Sequence, residues 1–165
     1  MGDLVYRVAQ IEDFSQIVQM KNAVKARIIE KGLAIWQNGY PTDETIVEDI
    51  AQNEGRVVEF NGEIIAYSVF YHCTREYDNA FKNSNNLQSF GRIMVRNDFL
   101  GKKIGDFLVS SMIAEAKTLS VDGMGITVDA INTVAVNLYK KHGFIREGER
   151  QFPWAYLDIY ALYFN

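Results

Sequence analysis

Cysteine is nearly missing from this chain: Cys73 is the only one in 165 residues. A single thiol excludes an internal disulfide and any cysteine-built zinc site, so no metal is expected. Long apolar runs are missing too. No stretch approaches the ~20 apolar residues that a membrane-crossing helix needs. Asp3 falls where a secretory signal would begin its apolar region. The expected setting is therefore the cytoplasm, with no membrane partner. Positive charge is not in excess: the formal net charge is -4. That argues against a nucleic-acid surface and leans mildly toward cationic partners. Repeats, low-complexity tracts and linkers are absent, so residues 1–165 read as one domain, long enough to bury a good core. Apolar residues at 48% and charged ones at 23% are the proportions of a soluble globular protein.

What is present is organised around Ser89–Glu115, SFGRIMVRNDFLGKKIGDFLVSSMIAE. Phe90 to Val95 is an apolar run with the β-branched Ile93 and Val95 that strands prefer. The polar turn Arg96-Asn97-Asp98 and the segment Gly101-Lys102-Lys103-Ile104-Gly105 follow. Ile104, Phe107, Leu108 and Met112 then recur at helical spacing, predicting a helix from Gly105 to about Leu119. A helix start carries unpartnered N–H groups and partial positive charge, while two glycines let a ligand approach the backbone. With two lysines added, the stretch suits a phosphate-binding turn. Taken alone, it suits an ordinary strand-to-helix loop equally well.

The flanking segments supply the other elements. Leu4–Val8 alternates like a strand, and Phe14, Ile17, Val18, Val24 and Ile28 mark a helix ending near Gly32. Thr42 or Asp43 caps a short helix over Glu44–Asn53. Trp36 and Tyr40 lie on the loop between these helices, either as a lid over the core edge or as a wall of a substrate pocket. Arg56–Phe60 and Glu63–Tyr71 form a hairpin around Asn61-Gly62, a pair that suits a type I′ turn. Thr74–Gln88 is a long polar loop. Met124–Ala130 is a strand, and Asn132 caps a helix over Thr133–His142 that ends at Gly143. Strands over Ile145–Gln151 and Tyr156–Tyr163 complete the order β-α-α-β-β-β-α-β-α-β-β. The fold class is α/β with a mixed sheet, antiparallel in its first half and locally parallel in the middle.

Asn132, Ala135, Leu138, Tyr139, Gly143 and Phe144, within VDAINTVAVNLYKKHGF, are spaced N-x-x-A-x-x-L-Y-x-x-x-G-F. With the element order, this resembles the GNAT family of N-acetyltransferases over essentially the whole chain. YRVAQIEDFSQI and YLDIYALYF look like that family's opening and closing strands. The resemblance implies a splay between strands four and five that holds the pantetheine arm of acetyl-CoA. Backbone groups of Ile93, Met94 and Val95 would then pair with that arm and polarise the thioester carbonyl. The diphosphate would lie on Leu100, Gly101, Lys102, Lys103, Ile104 and Gly105, with Asn132 touching the cofactor arm. The family's loop reads Gln/Arg-x-x-Gly-x-Gly/Ala, so this chain departs from it at Leu100 and Lys103.

The implied function is transfer of an acetyl group directly to a primary amine of a small molecule or peptide. Tyr139 would be the general acid that protonates the leaving CoA thiolate. The competing reading is a non-catalytic acyl-CoA-binding or regulatory domain on the same fold. Trp36, Tyr40 and Tyr71 are the candidates for the acceptor pocket. Trp154 and nearby aromatics serve either that pocket or a homodimer contact. The base for the substrate ammonium is not legible: His72, Glu76, Asp78 and Asp129 are in reach, as is a water chain, and Cys73 reads as a passive thiol.

Overall fold

The computed structural model describes residues 2–33, 35–36, 38–73, 77 and 79–165. These form β1 (Leu4–Val8), α1 (Phe14–Glu30), α2 (Asp43–Ala51), β2 (Gly55–Phe60), β3 (Glu63–His72) and β4 (Leu87–Val95). Then come α3 (Ile104–Ala116), β5 (Gly123–Val128), α4 (Thr133–Lys141), β6 (Ile145–Gln151) and β7 (Tyr156–Tyr163). The strands are ordered β1-β2-β3-β4-β5-β7-β6 in one mixed α/β sheet. Two compact units divide the chain: residues up to Phe70 with Gly91–Leu108, and Tyr71–Phe90 with Val109–Asn165. Strands β3 and β4 run through both.

In the first unit, β1 pairs antiparallel with β2, and β2 with β3. Asn61 and Gly62 have φ of 51° and 79°, the two left-handed residues a type I′ hairpin requires. Helix α1 turns Ile17, Met20, Val24 and Ile28 inward at helical spacing. They pack with Ile46 and Ile50 of α2 and with Val57, Ile64, Tyr67 and Met94 of the strands. The Thr42 hydroxyl caps α2 by accepting from the Thr45 N–H at 3.1 Å. Helix α2 stops at Ala51 rather than Asn53, because Asn53 itself turns left-handed at φ 59°.

In the second unit, β4 pairs parallel with β5 at Leu87↔Gly123 and Gln88↔Met124, and the described ladder covers only those two pairs. Strand β4 therefore begins before Phe90, since Leu87 is fully buried and joins the ladder. The preceding loop ends at Asn86. Strand β5 pairs antiparallel with β7, which pairs antiparallel with β6. The strand latest in sequence thus lies inside the sheet and β6 at its edge, an order that periodicity does not reveal. Gly123 allows the β5–β7 approach: a Cβ there would meet Leu162 O and lie 2.7 Å from Tyr163 Cα. Helix α3 stops at Ala116, short of Leu119, as the Thr118 amide and hydroxyl turn back onto Glu115 O at 2.9 and 2.7 Å. Strand β5 stops at Val128 because Asp129 opens a turn, accepting from the amides of Ile131 and Asn132.

Candidate active site

The turn before α3 begins with a single 3-10 turn at Asn97–Phe99. Gly101 (φ 75°) and Lys103 (φ 62°) then take left-handed conformations. The Phe107 amide is the one that closes the first helical bond, onto Lys103 O at 3.1 Å. The earlier amides, at Ile104 and Gly105, start the helix without an intrahelical acceptor. Lys102 is drawn aside, its Nζ 5.1 Å from the centre of the Phe99 ring, while Lys103 stays exposed. Free amides, the positive end of a helix and an exposed ammonium together fit an anion such as a diphosphate. Lys103 occupies the position where the GNAT loop carries glycine, and it holds a glycine-like backbone there. The left-handed conformation costs a residue with a Cβ about 1–2 kcal/mol.

Strand β4 leads into that turn. The Arg96 N–H donates to Ile65 O of β3 at 2.9 Å. Consecutive residues of a strand aim their peptide groups at opposite edges. Met94 therefore faces β3 with its peptide, and Ile93 and Val95 offer theirs to the other edge. The Met94 side chain is fully buried in the core. Val95 O accepts from the Arg27 guanidinium at 3.4 Å, and Asn97 Oδ1 accepts from the same group.

Just before Ile93, Arg92 adopts φ 49°. Its Nε and Nη2 donate to Asp49 Oδ2 and Oδ1 at 3.2 and 2.5 Å, and its Nη1 donates to the Tyr40 hydroxyl at 2.7 Å. The Tyr67 hydroxyl also donates to Asp49. Burial, followed by the Asp49 charge, pushes the Tyr67 phenol far above its ordinary value. Burial and the same charge raise Glu54 above the usual carboxylate range. Sequence reasoning missed this group. Its one visible signal is a carboxylate at position 49, on the buried α2 face between Ile46 and Ile50. The loop that carries Tyr40 is pinned from α1: Lys21 Nζ and Lys25 Nζ donate to Pro41 O, each at 3.3 Å, and Lys25 also reaches Gly39 O at 2.7 Å. Trp36 on this loop packs against the first unit's core, as a lid would, while Tyr40 is 40% exposed.

In the second unit Asn132 caps α4, its Oδ1 accepting from the Ala135 amide at 3.4 Å. Tyr139 is buried, in edge contact with Phe90 and Phe144, with ring centres 5.4 and 6.2 Å away. Burial pushes its phenol well above the ordinary value. The Tyr71 hydroxyl donates to that of Tyr77 at 3.4 Å, and burial raises Tyr71 strongly. His72 bonds Cys73 O and Asn86 Oδ1 at 3.1 and 3.0 Å, a structural arrangement. Burial pushes the Cys73 thiol up to about 12. Asp129 holds its turn. Trp154 is half exposed and stacked on Phe152. Glu76 and Asp78 lie outside the described residues.

A family model described as an acetyltransferase (GNAT) domain matches residues 51–146, more than half of the chain. A 54-residue stretch is 39% identical to an uncharacterized N-acetyltransferase of Dictyostelium discoideum, covering 33% of this chain and 25% of that protein. A GNAT-family acetyltransferase of Streptococcus agalactiae has a similar fold: TM-score 0.86 at 18% identity, over 98% of this chain and 96% of the other. So does yncA of Salmonella typhimurium, solved with its cofactor acetyl-CoA: TM-score 0.75 at 18% identity, over 99% and 95%. The aminoglycoside acetyltransferase AAC(6')-Ib, solved with coenzyme A, gives 0.76 at 19% identity, over 98% and 95%. Family model, strand order and capped α4 motif agree: this chain belongs to the GNAT family of acetyltransferases.

Proposed function

We propose that the protein transfers an acetyl group from acetyl-CoA directly to a primary amine of a small molecule or peptide. The observation that carries this reading is the turn before α3, where Lys103 keeps a left-handed backbone at the family's glycine position. The turn from Leu100 to Gly105 would bind the diphosphate through its amides and the Lys103 ammonium. The outward peptide groups of Ile93 and Val95 would hold the acyl arm, and an N–H there would stabilise the charge that develops on the thioester oxygen. Met94 stands between them and fixes the strand in the core.

Asn132 would orient the start of α4 and touch the acyl arm. Tyr139, a phenol that carries its proton at neutral pH, would give that proton to the departing thiolate. Direct transfer to an amine needs no protein nucleophile, which suits a chain whose one thiol is held protonated by burial. Trp36, Tyr40 and Tyr71 would shape the acceptor's surroundings, and an aromatic wall favours a cationic amine. Trp154 offers a half-exposed ring for the acceptor or for a homodimer contact. The acidic balance and lone cysteine support work in the cytoplasm.

The test is thiol release from acetyl-CoA against a panel of polyamines, amino acids, aminoglycosides and peptides. Tyr139→Phe should lower turnover roughly 10²- to 10⁴-fold, with acetyl-CoA binding by calorimetry little changed. Wild-type turnover in that variant would remove Tyr139 from the chemistry. Binding of acetyl-CoA with no turnover on any amine would favour a regulatory acyl-CoA-binding domain.

A further inference from the structure

Arg92 is the one described left-handed, non-glycine residue that lies inside a strand. Such backbone strain persists only where the surroundings over-determine it, and it clusters at functional positions. Two side-chain anchors do this here. The Nε and Nη2 groups of Arg92 engage Asp49, whose side chain is 6% exposed, and Nη1 reaches out to the Tyr40 hydroxyl. Stapling β4 to α2 would need only Asp49. The bond to a tyrosine that is 40% exposed extends the pair to the rim of the first unit. Lysines 21 and 25 fix the carbonyls on either side of Tyr40, at Pro41 and Gly39, and Arg92 fixes the far end of its ring. The guanidinium carbon also lies 5.8 Å from the centre of that ring.

We propose that Arg92 is a positioning residue for acyl transfer, tying the Tyr40 wall to the β4 peptide groups that follow it at Ile93. The proposal rests on the acetyltransferase reading above. Its backbone kink immediately precedes the Ile93 peptide, and its side chain sets where Tyr40 stands. An incoming amine that packs on Tyr40 is thereby registered against the strand edge that receives the thioester. Misplacement of a bound reactant by about 1 Å can cost 10²-fold in rate, so a rigid link between the two has a direct kinetic value.

Two substitutions and their combination test the link. Tyr40→Phe removes the hydroxyl and leaves the Arg92–Asp49 pair whole; Arg92→Lys keeps the charge beside Asp49 and removes the fork. With the best amine of the panel, each should raise the KM for the amine roughly tenfold while the KM for acetyl-CoA stays within about twofold. The double variant should be no worse than the worse single, because both cut one link. Additive losses, equal shifts in both KM values, or no shift in the amine KM would overturn the proposal.

Hydrogen exchange of the 38–43 segment, read by mass spectrometry without substrate, is the second measurement. Exchange there should quicken several-fold in both variants, and unchanged exchange in either overturns the proposal whatever the kinetics. If wild-type protein acetylates no amine, the functional reading fails on its own, and exchange alone decides whether Arg92 holds the Tyr40 segment. If Arg92→Lys does not fold, Tyr40→Phe carries both measurements.

Discussion

Lys103 carries a side chain where its backbone conformation favours none. Lys103→Gly relieves about 1–2 kcal/mol of left-handed strain and gives back about 0.5–1 kcal/mol through the freer unfolded chain. The expected net is a stabilisation of up to roughly 1.5 kcal/mol in urea denaturation. The same variant should bind acetyl-CoA with a weaker salt dependence, since it loses an exposed charge. Burial should make Cys73 the opposite of a reactive thiol. With its thiol pushed up to about 12, it should resist a thiol reagent at pH 8 in the native protein and react at once in urea. Equal rates in both states would contradict the burial argument. The sequence reading of Cys73 as a passive thiol agrees with its burial. The Arg92–Asp49–Tyr40 group was not, because its members are far apart in the chain and nothing in their periodicity links them.

Helix starts and the hairpin turn were the most legible features, since their signals are local, whereas α2 and α3 stop earlier than their periodicity suggests. Asn132 illustrates this: the sequence marks it as a cap, and its side chain accepts from the Ala135 amide. Asn132→Ala should cost about 1 kcal/mol of stability, seen as a lower urea midpoint. A loss of acetyl-CoA affinity in the folded variant would support the cofactor contact proposed for it. At the other end of the chain, Arg7 of β1 grips Asp13 at the entry to α1, with bonds of 2.8 and 2.9 Å, and Glu59 of β2 at 2.9 Å. The Arg7 guanidinium holds the Asp13 carboxyl below the usual carboxylate range. Its folded value is thus lower than its unfolded one. The pair's stabilisation is present above about pH 4 and is lost as pH falls through the folded value. Asp13→Asn should lower stability at pH 7 and flatten the acid limb of the stability curve. An unchanged acid limb would mean the pair contributes nothing. This contact joins two elements recognisable in sequence, but the pairing itself is a tertiary fact.

For the molecule as a whole, the element order and the local parallel pairing followed from the sequence, because strands four and five flank helix α3 in strand–helix–strand form; β5 and β6 flank α4 in the same form but are not neighbours. The placement of β7 between β5 and β6 did not, since alternation tells a strand's face and not its neighbour. Gly123 is where that placement is enforced. Gly123→Ala drives a methyl into the β7 backbone and should cost about 1–3 kcal/mol, as overpacked cores do; calorimetric melting would show it. A neutral result would mean that β5 and β7 can part at that point without penalty. The insertion of β7 also bears on how the chain folds. Strand β5 ends at Val128 and its antiparallel neighbour starts at Tyr156. Their pairing therefore closes a loop rather than a hairpin, and such non-local pairings are slow to form. Until β7 arrives, the β5 edge is an unpaired row of backbone groups that another chain could occupy.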